Sequence, residues 1–441
     1  MRRVVLLVAA LCSVSSVWAQ IRIQAKPADR FVDSLGVNVH MEYTDTPYGR
    51  YSEINRRLQA LGMRHVRDEI NNTSPAFVQE LRRIGTLGYR LCGLIEGGND
   101  YPPLGTALQA SAVVPMIRNL EPVIEAVEGP DEPDDGGFVY DGVPYPSGAI
   151  NESEDLWNIL KGSSEISFLP VLALSEGNPA DFAELASITP PPIDYAAYGN
   201  MHAYQGGSVG DAGLDQYIHD ARELTGADRL WTTEMGYHNN TNYLGDGEQQ
   251  GVSERAAAIY LPIAFFSGLN HGVFRTFSYE LIDESNDPHL NSGSGEGHYG
   301  LLRYDGSEKP AYAALKNLIT ILRDPGGKQF SPGSLYISFL GAPSTMRYTL
   351  LEKSNGDFYL ALWNDVSVYR VATENTPGRD LYPPSVPVRL EFLDPKRFTV
   401  FAPNDASGAG ATDAHTIAAA ACSLTINLQA RVLVIRIATK P

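Results

Sequence analysis

The chain has 441 residues, 43% of them hydrophobic, and a formal net charge of −18 at pH 7. A charge of that sign repels phosphate backbones and anionic lipid surfaces, which argues against nucleic acid as a partner and favours a neutral ligand. A chain of this length can bury one large core and one smaller core, so we expect two domains.

The first 19 residues, MRRVVLLVAALCSVSSVWA, have the pattern of a secretory signal peptide. Two arginines precede an apolar run that is too short to span a bilayer, and small residues mark a cleavage site after Ala19. We therefore expect a secreted protein, extracellular or periplasmic. No later segment approaches the roughly 20 uninterrupted apolar residues of a membrane helix, so no membrane association is expected.

Between Phe31 and Asp324, short apolar runs alternate with stretches of helical period, which is typical of repeated βα units around a parallel sheet. The predicted strands cover residues 33–40, 64–70, 90–97, 124–130, 166–174, 194–204, 230–236 and 273–281. Eight strands close a barrel. An open doubly wound sheet would alternate in the same way, but no G-x-G-x-x-G turn follows the first strand. We predict an α/β fold, with a (β/α)8 TIM barrel over residues 20–326.

A second domain, a C-terminal antiparallel β-sandwich, is predicted over residues 327–441. It begins in the glycine- and proline-rich DPGGKQFSPGS and continues in short alternating segments such as FYLALW, VPVRLEF and RVLVIRI. The segment IRIQAKP, which precedes the barrel, is a candidate for a further strand of this domain. The low-complexity residues 404–421 are predicted to form a loop. Cys92 and Cys422 fall in different domains, so we expect buried thiols rather than a disulfide.

Two glutamates follow predicted barrel strands, where the βα loops vary around a rigid scaffold and can carry chemistry. The fourth strand ends in EGPDEPD, which contains Glu132, and the seventh ends in LWTTEMG, which contains Glu234. We expect both to reach the same barrel mouth, within about 5 to 6 Å of each other. Cleavage of a glycosidic bond needs such a pair, because one carboxyl protonates the leaving oxygen while the other attacks the anomeric carbon.

These two segments closely resemble the acid/base and nucleophile segments of glycoside hydrolase clan A, whose retaining enzymes use glutamates after strands four and seven. Arg67 at the end of strand two, the segment from His202 to Tyr204, and the tail HYGLLRYDGSEKPAYAALKNL also look like this clan, and like family 39 and its neighbours in particular. The resemblance covers the predicted barrel and includes a sandwich of the kind often appended to it. It implies that Glu132 is the general acid/base and Glu234 the nucleophile.

One departure from the clan precedes the acid/base, where Asp131 replaces the usual asparagine. Asparagine can donate a hydrogen bond to the sugar 2-hydroxyl, whereas an ionised aspartate only accepts. A second carboxylate beside Glu132 would also raise the pKa of one of the pair, which suits a general acid. Two interpretations stay open: Asp131 accepts from the 2-hydroxyl, or the site has lost activity or turned to an unusual glycan.

Other strand ends supply candidates for binding the sugar. Arg67 can hold the nucleophile ionised and so lower its pKa, unless it only forms a structural ion pair with Asp68 or Glu69. His202 and Tyr204 lie two positions apart on a strand, so both are expected to face the mouth. Core packing is the alternative for this pair.

The first and last barrel strands supply four further candidates. Asn38 and His40 end strand one, and Tyr279 and Glu280 end strand eight, where they can stack on a sugar or bond to its hydroxyls. Loop scaffolding is the alternative. Trp231 is expected to be buried. The segment NDPHLNSGSGEGH lacks the ligand spacing of a zinc site and is expected to border the cleft.

The sequence thus predicts a secreted retaining glycoside hydrolase acting on a poly- or oligosaccharide. Glu234 forms a covalent glycosyl-enzyme intermediate, and Glu132 acts first as acid and then as base toward water. No cofactor or metal is expected for this reaction. The rival interpretation is a catalytically decayed barrel that only binds carbohydrate, and a transglycosylase would use the same residues.

Overall fold

The structure is a computed structural model that describes residues 20–98, 104–178, 182–188, 193–244, 249–286, 295–324, 329–404 and 413–438. The predicted signal peptide lies outside the described residues. So do residues 287–294 of the segment NDPHLNSGSGEGH and residues 405–412 of the low-complexity segment. Within the described ranges, no helix is long and apolar enough to cross a membrane.

Strands and helices alternate through the first three quarters of the chain, and strands alone follow. The strands are β1 (Ile21–Gln24), β2 (Lys26–Pro27), β3 (Leu35–Asn38), β4 (His65–Glu69), β5 (Arg90–Leu94), β6 (Ile124–Glu128), β7 (Val139–Tyr140), β8 (Val143–Pro144), β9 (Trp231–Met235), β10 (Arg275–Ser278), β11 (Ser334–Leu340), β12 (Met346–Glu352), β13 (Phe358–Asn364), β14 (Tyr369–Arg370), β15 (Arg379–Asp380), β16 (Val386–Ala402), β17 (Asp413–Leu428) and β18 (Leu433–Ala438). The helices are α1 (Ala28–Asp33), α2 (Tyr51–Leu61), α3 (Pro75–Thr86), α4 (Ala110–Leu120), α5 (Ser147–Gly162), α6 (Phe182–Ile188), α7 (Leu214–Thr225), α8 (Glu254–Asn270) and α9 (Pro310–Leu322).

Six of these strands form one parallel sheet in the order β6-β5-β4-β3-β10-β9. Residues 171–175 and 198–202 fill the two positions between β6 and β9. Isolated parallel bridges join these segments to their neighbours, pairing Val127 with Val171, Leu172 with Tyr198, Gly199 with Leu230, and His202 with Glu234. Eight segments therefore close the ring, and the predicted (β/α)8 barrel is confirmed.

The fifth barrel segment is shorter than the sequence predicts. Over residues 166–174 a strand is expected, but the backbone first turns, with the Leu169 N–H donating to the Ile166 carbonyl at 3.1 Å. Pro170 follows, and the extended segment begins after it. Apolar residues in a turn and in a strand give the same local pattern, so the pattern alone could not separate them.

The covering helices bury one apolar face, as the helical period predicts. Helix α2 buries Leu58 and Leu61 and ends at Gly62, whose φ of 84° suits a residue without a Cβ. Helix α8 differs, because its side chains are buried on every face. The second domain packs on it: the ring of Phe266 in α8 stacks on Trp363 in β13, with ring centres 5.7 Å apart.

The C-terminal domain is the predicted antiparallel β-sandwich. Its strand order is β1-β11-β16-β18-β13-β12-β2, and β17 pairs with β16. The long strands β16 and β17 cross from one layer to the other, because residues 389–392 of β16 pair with β11 while residues 397–401 pair with β18. The inner faces bury one apolar cluster that includes Ile337, Leu360 and Ile435.

Three details of this domain bear on the sequence predictions. The segment IRIQAKP does supply sandwich strands, since β1 pairs with β11 and β2 with β12. The loop prediction for residues 404–421 is wrong over 413–421, where β17 pairs with β16 and thereby satisfies its backbone groups. Cys92 is buried as expected, but Cys422 is exposed, because it lies where the register between β16 and β17 shifts. Both thiols are free.

Candidate active site

The carboxyl ends of the barrel strands bring the predicted site residues together at one mouth. Hydrogen bonds, together with a 3.4 Å contact between His202 and Asp131, connect one network of side chains, those of Asn38, Arg67, Asp131, Glu132, His202, Tyr204 and Glu234. The parallel strand order explains this, because all eight segments point their carboxyl ends to the same side.

Glu132 and Glu234 face each other across this mouth. One carboxylate oxygen of each, together with a ring nitrogen of His202, lie within 4.8 Å of one another. The side chain of Glu234 is 9% exposed and that of Glu132 is 31% exposed. One carboxyl is thus enclosed by protein, while the other reaches the solvent side of the cleft.

The backbone at Glu132 adopts a conformation that aims its side chain into the site. Its φ is 37°, in the left-handed region that costs a residue with a Cβ about 1–2 kcal/mol. The Glu132 N–H donates to the Ser175 carbonyl at 3.0 Å, which holds this conformation. A Cβ on Gly177 would lie 3.0 Å from the Glu132 carboxyl carbon, so a glycine there leaves room for the carboxyl.

Arg67 is the cation at the centre of the site. It is buried, and its guanidinium donates to Glu128 at 2.8 Å, to Glu234 and Asp131 at 2.5 Å each, and to Asn38 at 3.1 Å. Burial lowers the Arg67 pKa, but the three carboxylates raise it well above its usual value. Arg67 therefore pairs with these carboxylates and not with Asp68 or Glu69, the alternative partners that the sequence offered.

Sequence analysis missed Glu128, which lies beneath the two paired glutamates. Besides Arg67, it accepts from Asn200 at 2.6 Å and from Thr233 at 2.7 Å. Burial raises the Glu128 pKa, but Arg67 and His202 outweigh burial and lower it to about 2. A signal was available: Glu128 and Arg67 each lie within a predicted barrel strand, and a charge buried there requires a partner.

His202 lies under the proposed acid/base and is not exposed to the cleft. It is fully buried, with Nδ1 2.6 Å from Glu132 Oε1 and Nε2 3.1 Å from Thr233 Oγ1. Burial lowers the His202 pKa, but the charges of Glu234, Asp131 and Glu132 raise it well above its usual value. His202 Nδ1 is thus within hydrogen-bond distance of the Glu132 carboxyl and can orient it. The residue expected to bind sugar instead orients a carboxyl.

Glu234 is held by two donors, one on each oxygen. Arg67 donates to Oε1 at 2.5 Å, and the Tyr204 hydroxyl donates to Oε2 at 2.7 Å. Burial raises the Glu234 pKa, His202 and Arg67 lower it, and two neighbouring carboxylates raise it, with a net value of about 7. Arg67 does lower the pKa as the sequence predicts, but burial prevails and the net shift is upward.

Asp131 shares the guanidinium with Glu234. Its Oδ1 accepts from Arg67 and, at 3.2 Å, from the Ser175 hydroxyl, while its side chain lines the cleft and is 23% exposed. Its charge is one of those that raise the pKa of Glu234. Asp131 therefore affects the enclosed glutamate as well as the one beside it in the chain.

The candidates on the first and last barrel strands divide into two groups. Asn38, His40 and Tyr279 line the cleft. Glu280 lies behind its wall, fully buried, and accepts from the Tyr48 hydroxyl at 2.7 Å. The structure therefore leaves Glu280 without direct access to a ligand in the cleft.

The cleft encloses about 440 Å³, room for a sugar unit. Carboxylates dominate its wall, namely those of Asp68, Glu69, Asp131, Glu132, Asp134, Asp135, Glu234 and Glu296. Tyrosine rings at residues 43, 204, 279 and 299 supply flat apolar faces. Trp231 is buried as predicted, its ring stacked on Phe277 below the mouth, and so takes no part in the wall.

Comparisons with protein-family models and with curated proteins give no match. Solved structures do match. A monomeric β-xylosidase from Caulobacter crescentus CB15 has a TM-score of 0.59 at 14% identity, over 94% of this chain and 97% of that one. A family 39 glycoside hydrolase from Bacteroides cellulosilyticus WH2 has a TM-score of 0.53 at 14% identity, over 94% and 82%. A family 39 enzyme from Xanthomonas axonopodis pv. citri has 0.56 at 13% identity, over 94% and 95%.

These matches extend over both domains, because they cover nearly the whole of this chain. The chain thus has the fold of family 39 glycoside hydrolases, and the clan A resemblance predicted from the sequence is confirmed for the fold.

Proposed function

We propose that this protein is a retaining glycoside hydrolase that cleaves O-glycosidic bonds of an oligo- or polysaccharide by double displacement. The observation that carries the proposal is the pair Glu132 and Glu234, whose oxygens lie within 4.8 Å of each other at the mouth of the barrel. Retaining enzymes hold their two carboxyls about 5 to 5.5 Å apart, whereas inverting enzymes leave about 6.5 to 9.5 Å for a water molecule. The observed spacing supports retention.

The surroundings of each carboxyl support its role. Glu132 is partly exposed, and His202 Nδ1 lies 2.6 Å from its Oε1 and fixes its position, so it can reach the leaving oxygen with a proton and later take one from water. Glu234 is fixed by Arg67 and Tyr204, which orient it to attack the anomeric carbon. In the first step the bond from Glu234 to that carbon forms as the glycosidic bond breaks. In the second step a water molecule attacks the same carbon while Glu132 takes its proton, and the bond from that carbon to Glu234 breaks.

The wall of the cleft supports a neutral sugar as substrate. Eight acidic side chains line it, and the one guanidinium among its lining residues already pairs with acids. A β-xylosidase is among the proteins that share the fold, so a β-xyloside is the first substrate to test. We also infer export, on the strength of residues 1–19, and expect exported protein to begin after Ala19.

The stereochemistry of the first product tests the mechanism. With aryl β-glycosides, proton NMR should detect the β-anomer of the free sugar before mutarotation. The α-anomer appearing first would contradict double displacement. A 2-deoxy-2-fluoro glycoside with a good leaving group should add one sugar mass to the protein, on the peptide that contains Glu234. Affinity for oligosaccharides without turnover, over a broad panel, would support the carbohydrate-binding alternative.

A further inference from the structure

A second cluster of potential ligands lies behind the wall of the cleft, where the first and last barrel strands meet. One donor atom each from His40, Glu280 and Glu284 lie within 4.8 Å of one another. His40 follows β3, and both glutamates follow β10, which pairs with β3 in the closed ring. The cluster therefore lies where the loops after the two neighbouring strands come together.

One potential ligand atom of each side chain has no hydrogen-bond partner among the described residues. These atoms are His40 Nε2, Glu280 Oε1 and Glu284 Oε1, and each is buried. Glu280 is fully buried, and its other oxygen accepts from the Tyr48 hydroxyl. Buried polar atoms are nearly always hydrogen-bonded, so three unbonded acceptors in one place require an explanation.

The cluster also lacks a cationic side chain. Among the described residues, no lysine or arginine forms a salt bridge with Glu280 or Glu284. The contact nearest to an ion pair is that of Glu280 with His40, at 3.7 Å. Two carboxyl groups and an imidazole nitrogen, each with an oxygen or nitrogen that is buried and unbonded, offer three ligand atoms to a cation.

We propose that His40, Glu280 and Glu284 form a zinc site that ties the end of the first barrel strand to the loop after the last. An imidazole nitrogen with two carboxylate oxygens suits Zn²⁺, which commonly takes three protein ligands and one water, whereas Ca²⁺ requires six to eight oxygens. Tetrahedral Zn²⁺ holds its donors about 3.4 Å apart. His40 Nε2 is already 3.7 Å from Glu280 Oε2, the oxygen that accepts from Tyr48, so a small movement of the side chains brings this carboxyl group to the required distance.

Other clusters fit a metal less well. The groups at the catalytic pair share His202, whose two ring nitrogens already contact Glu132 and Thr233. A third group, on α7, is formed by His219, Asp220 and Glu223 and is exposed to solvent. The His40 cluster alone among these combines burial with unbonded donors. A metal there would fix His40 and the adjoining Tyr279, both of which line the cleft.

Calorimetric titration of the chelator-treated, chelator-free protein with ZnCl₂ tests the proposal. We expect one equivalent of Zn²⁺ to bind at micromolar or lower concentration. The variants Glu284→Gln and Glu280→Gln should each weaken this binding by about 100-fold or more, because a direct ligand is lost. Two matched controls, Glu132→Gln at the catalytic pair and His219→Ala on α7, should bind as the unchanged protein does. Thermal unfolding of each variant checks that it is folded.

Several outcomes would overturn the proposal. These are the absence of stoichiometric Zn²⁺ binding, full affinity in Glu284→Gln, or loss of binding in Glu132→Gln or His219→Ala. Tighter binding of Ca²⁺ than of Zn²⁺ would also contradict it. Co²⁺ provides an independent readout, since its visible absorption should appear on binding and be lost in Glu284→Gln. Glu284 is only partly buried, so this variant remains informative even if Glu280→Gln does not fold.

Discussion

Asp131 and Glu234 accept hydrogen bonds from the same guanidinium, that of Arg67, at 2.5 Å each. Arg67 also pairs with Glu128, so one cation serves three carboxylates. The positive charge of Arg67 therefore offsets only part of the effect of burial on Glu234, and burial raises the pKa of this carboxyl to about 7. The protonation of the proposed nucleophile depends on this sharing.

Replacing Asp131 should shift the pH dependence of the reaction. Glu234 must be ionised to attack, so kcat/KM should fall as the pH decreases through about 7. Asp131→Asn removes a negative charge that raises the pKa of Glu234, and the amide oxygen can still accept from Arg67. The acid limb of the profile should therefore move to lower pH, by about one unit.

A matched control for this shift is Asp135→Asn, which removes the same charge elsewhere on the wall of the cleft. Its acid limb should stay near that of the unchanged protein. Equal shifts in both variants would show that the net charge of the cleft matters rather than the shared guanidinium.

The two glutamates should respond differently to substitution. Glu234→Gln should lower kcat by at least about 10⁴-fold on every substrate, because no covalent intermediate can form. Glu132→Gln should lower kcat/KM by about 10²- to 10⁴-fold on substrates with poor leaving groups and by much less on activated aryl glycosides, whose leaving groups need no proton in the first step. Steady-state kinetics on both substrate types measures this. An equal loss on both would remove Glu132 from the acid role.

Gly177→Ala should disturb the acid/base without disturbing the fold. The added Cβ would lie 3.0 Å from the Glu132 carboxyl carbon, and the end of that flexible side chain can move away from it. We expect a loss of about 10-fold or more in kcat on substrates with poor leaving groups, with an unchanged melting temperature. Gly162→Ala is the control, since nothing lies within 4 Å of its added Cβ. Full activity in Gly177→Ala would mean that Glu132 has more room than the structure suggests.

The acidic wall of the cleft should discriminate against charged sugars. A glucuronide brings a carboxylate to a wall that includes Asp131, Glu132, Asp134 and Asp135, so its kcat/KM should be at least about 10-fold below that of the matching glucoside or xyloside. Added salt screens part of the repulsion, so the ratio should narrow as ionic strength rises. A glucuronide that equals the neutral glycosides at low salt would contradict this reading of the wall.

Asp211 should stabilise the contact between the domains in a pH-dependent way. It lies near His271 at 3.5 Å and accepts from Arg347 of the sandwich at 3.2 Å. The hydrogen bond from His271 comes first among the causes that lower its pKa to about 2. A lowered pKa gives stability that is present above about pH 4 and is lost as the pH falls through about 2. The Asp211 side chain is 28% exposed, so screening by solvent limits this contribution to about 1 kcal/mol.

Thermal unfolding at several pH values measures that contribution. Asp211→Asn should melt below the unchanged protein at pH 7, by about 1–2 °C, and the difference should shrink at acidic pH. Asp215→Asn is the control, because Asp215 also pairs with His271, at 3.1 Å, but its side chain is 85% exposed. A constant difference across the pH range would mean that Asp211 acts through packing and not through its charge.

Much of this structure could be predicted because the relevant signals are local. Each of these signals lies within a dozen residues. Examples are the helical period of α2 with its final Gly62, the alternation in the sandwich strands, and the motifs around Glu132 and Glu234. The closed barrel was predicted by counting eight predicted strands separated by helical segments.

What could not be predicted depends on contacts between distant residues. Glu128 and His202 lie 74 positions apart but meet beneath the paired glutamates. The partner that compensates the charge of Glu128 there is Arg67, which lies on another strand. The upward shift of the Glu234 pKa reflects burial, which no local pattern reports. Glu280 was placed at the mouth because it ends a strand, but its side chain points behind the wall.

The pairing of β1 with β11 has a consequence for how the chain can be divided. Gln24 bonds to Pro332, 308 positions further along, so the barrel is inserted within the sandwich instead of preceding it. Expressing residues 327–441 alone would leave β11 without its edge neighbour, and a fragment ending at residue 326 would carry an unpaired strand. During synthesis from the N-terminus, β1 emerges long before its partner, so the smaller domain can be completed only after the whole barrel has been made.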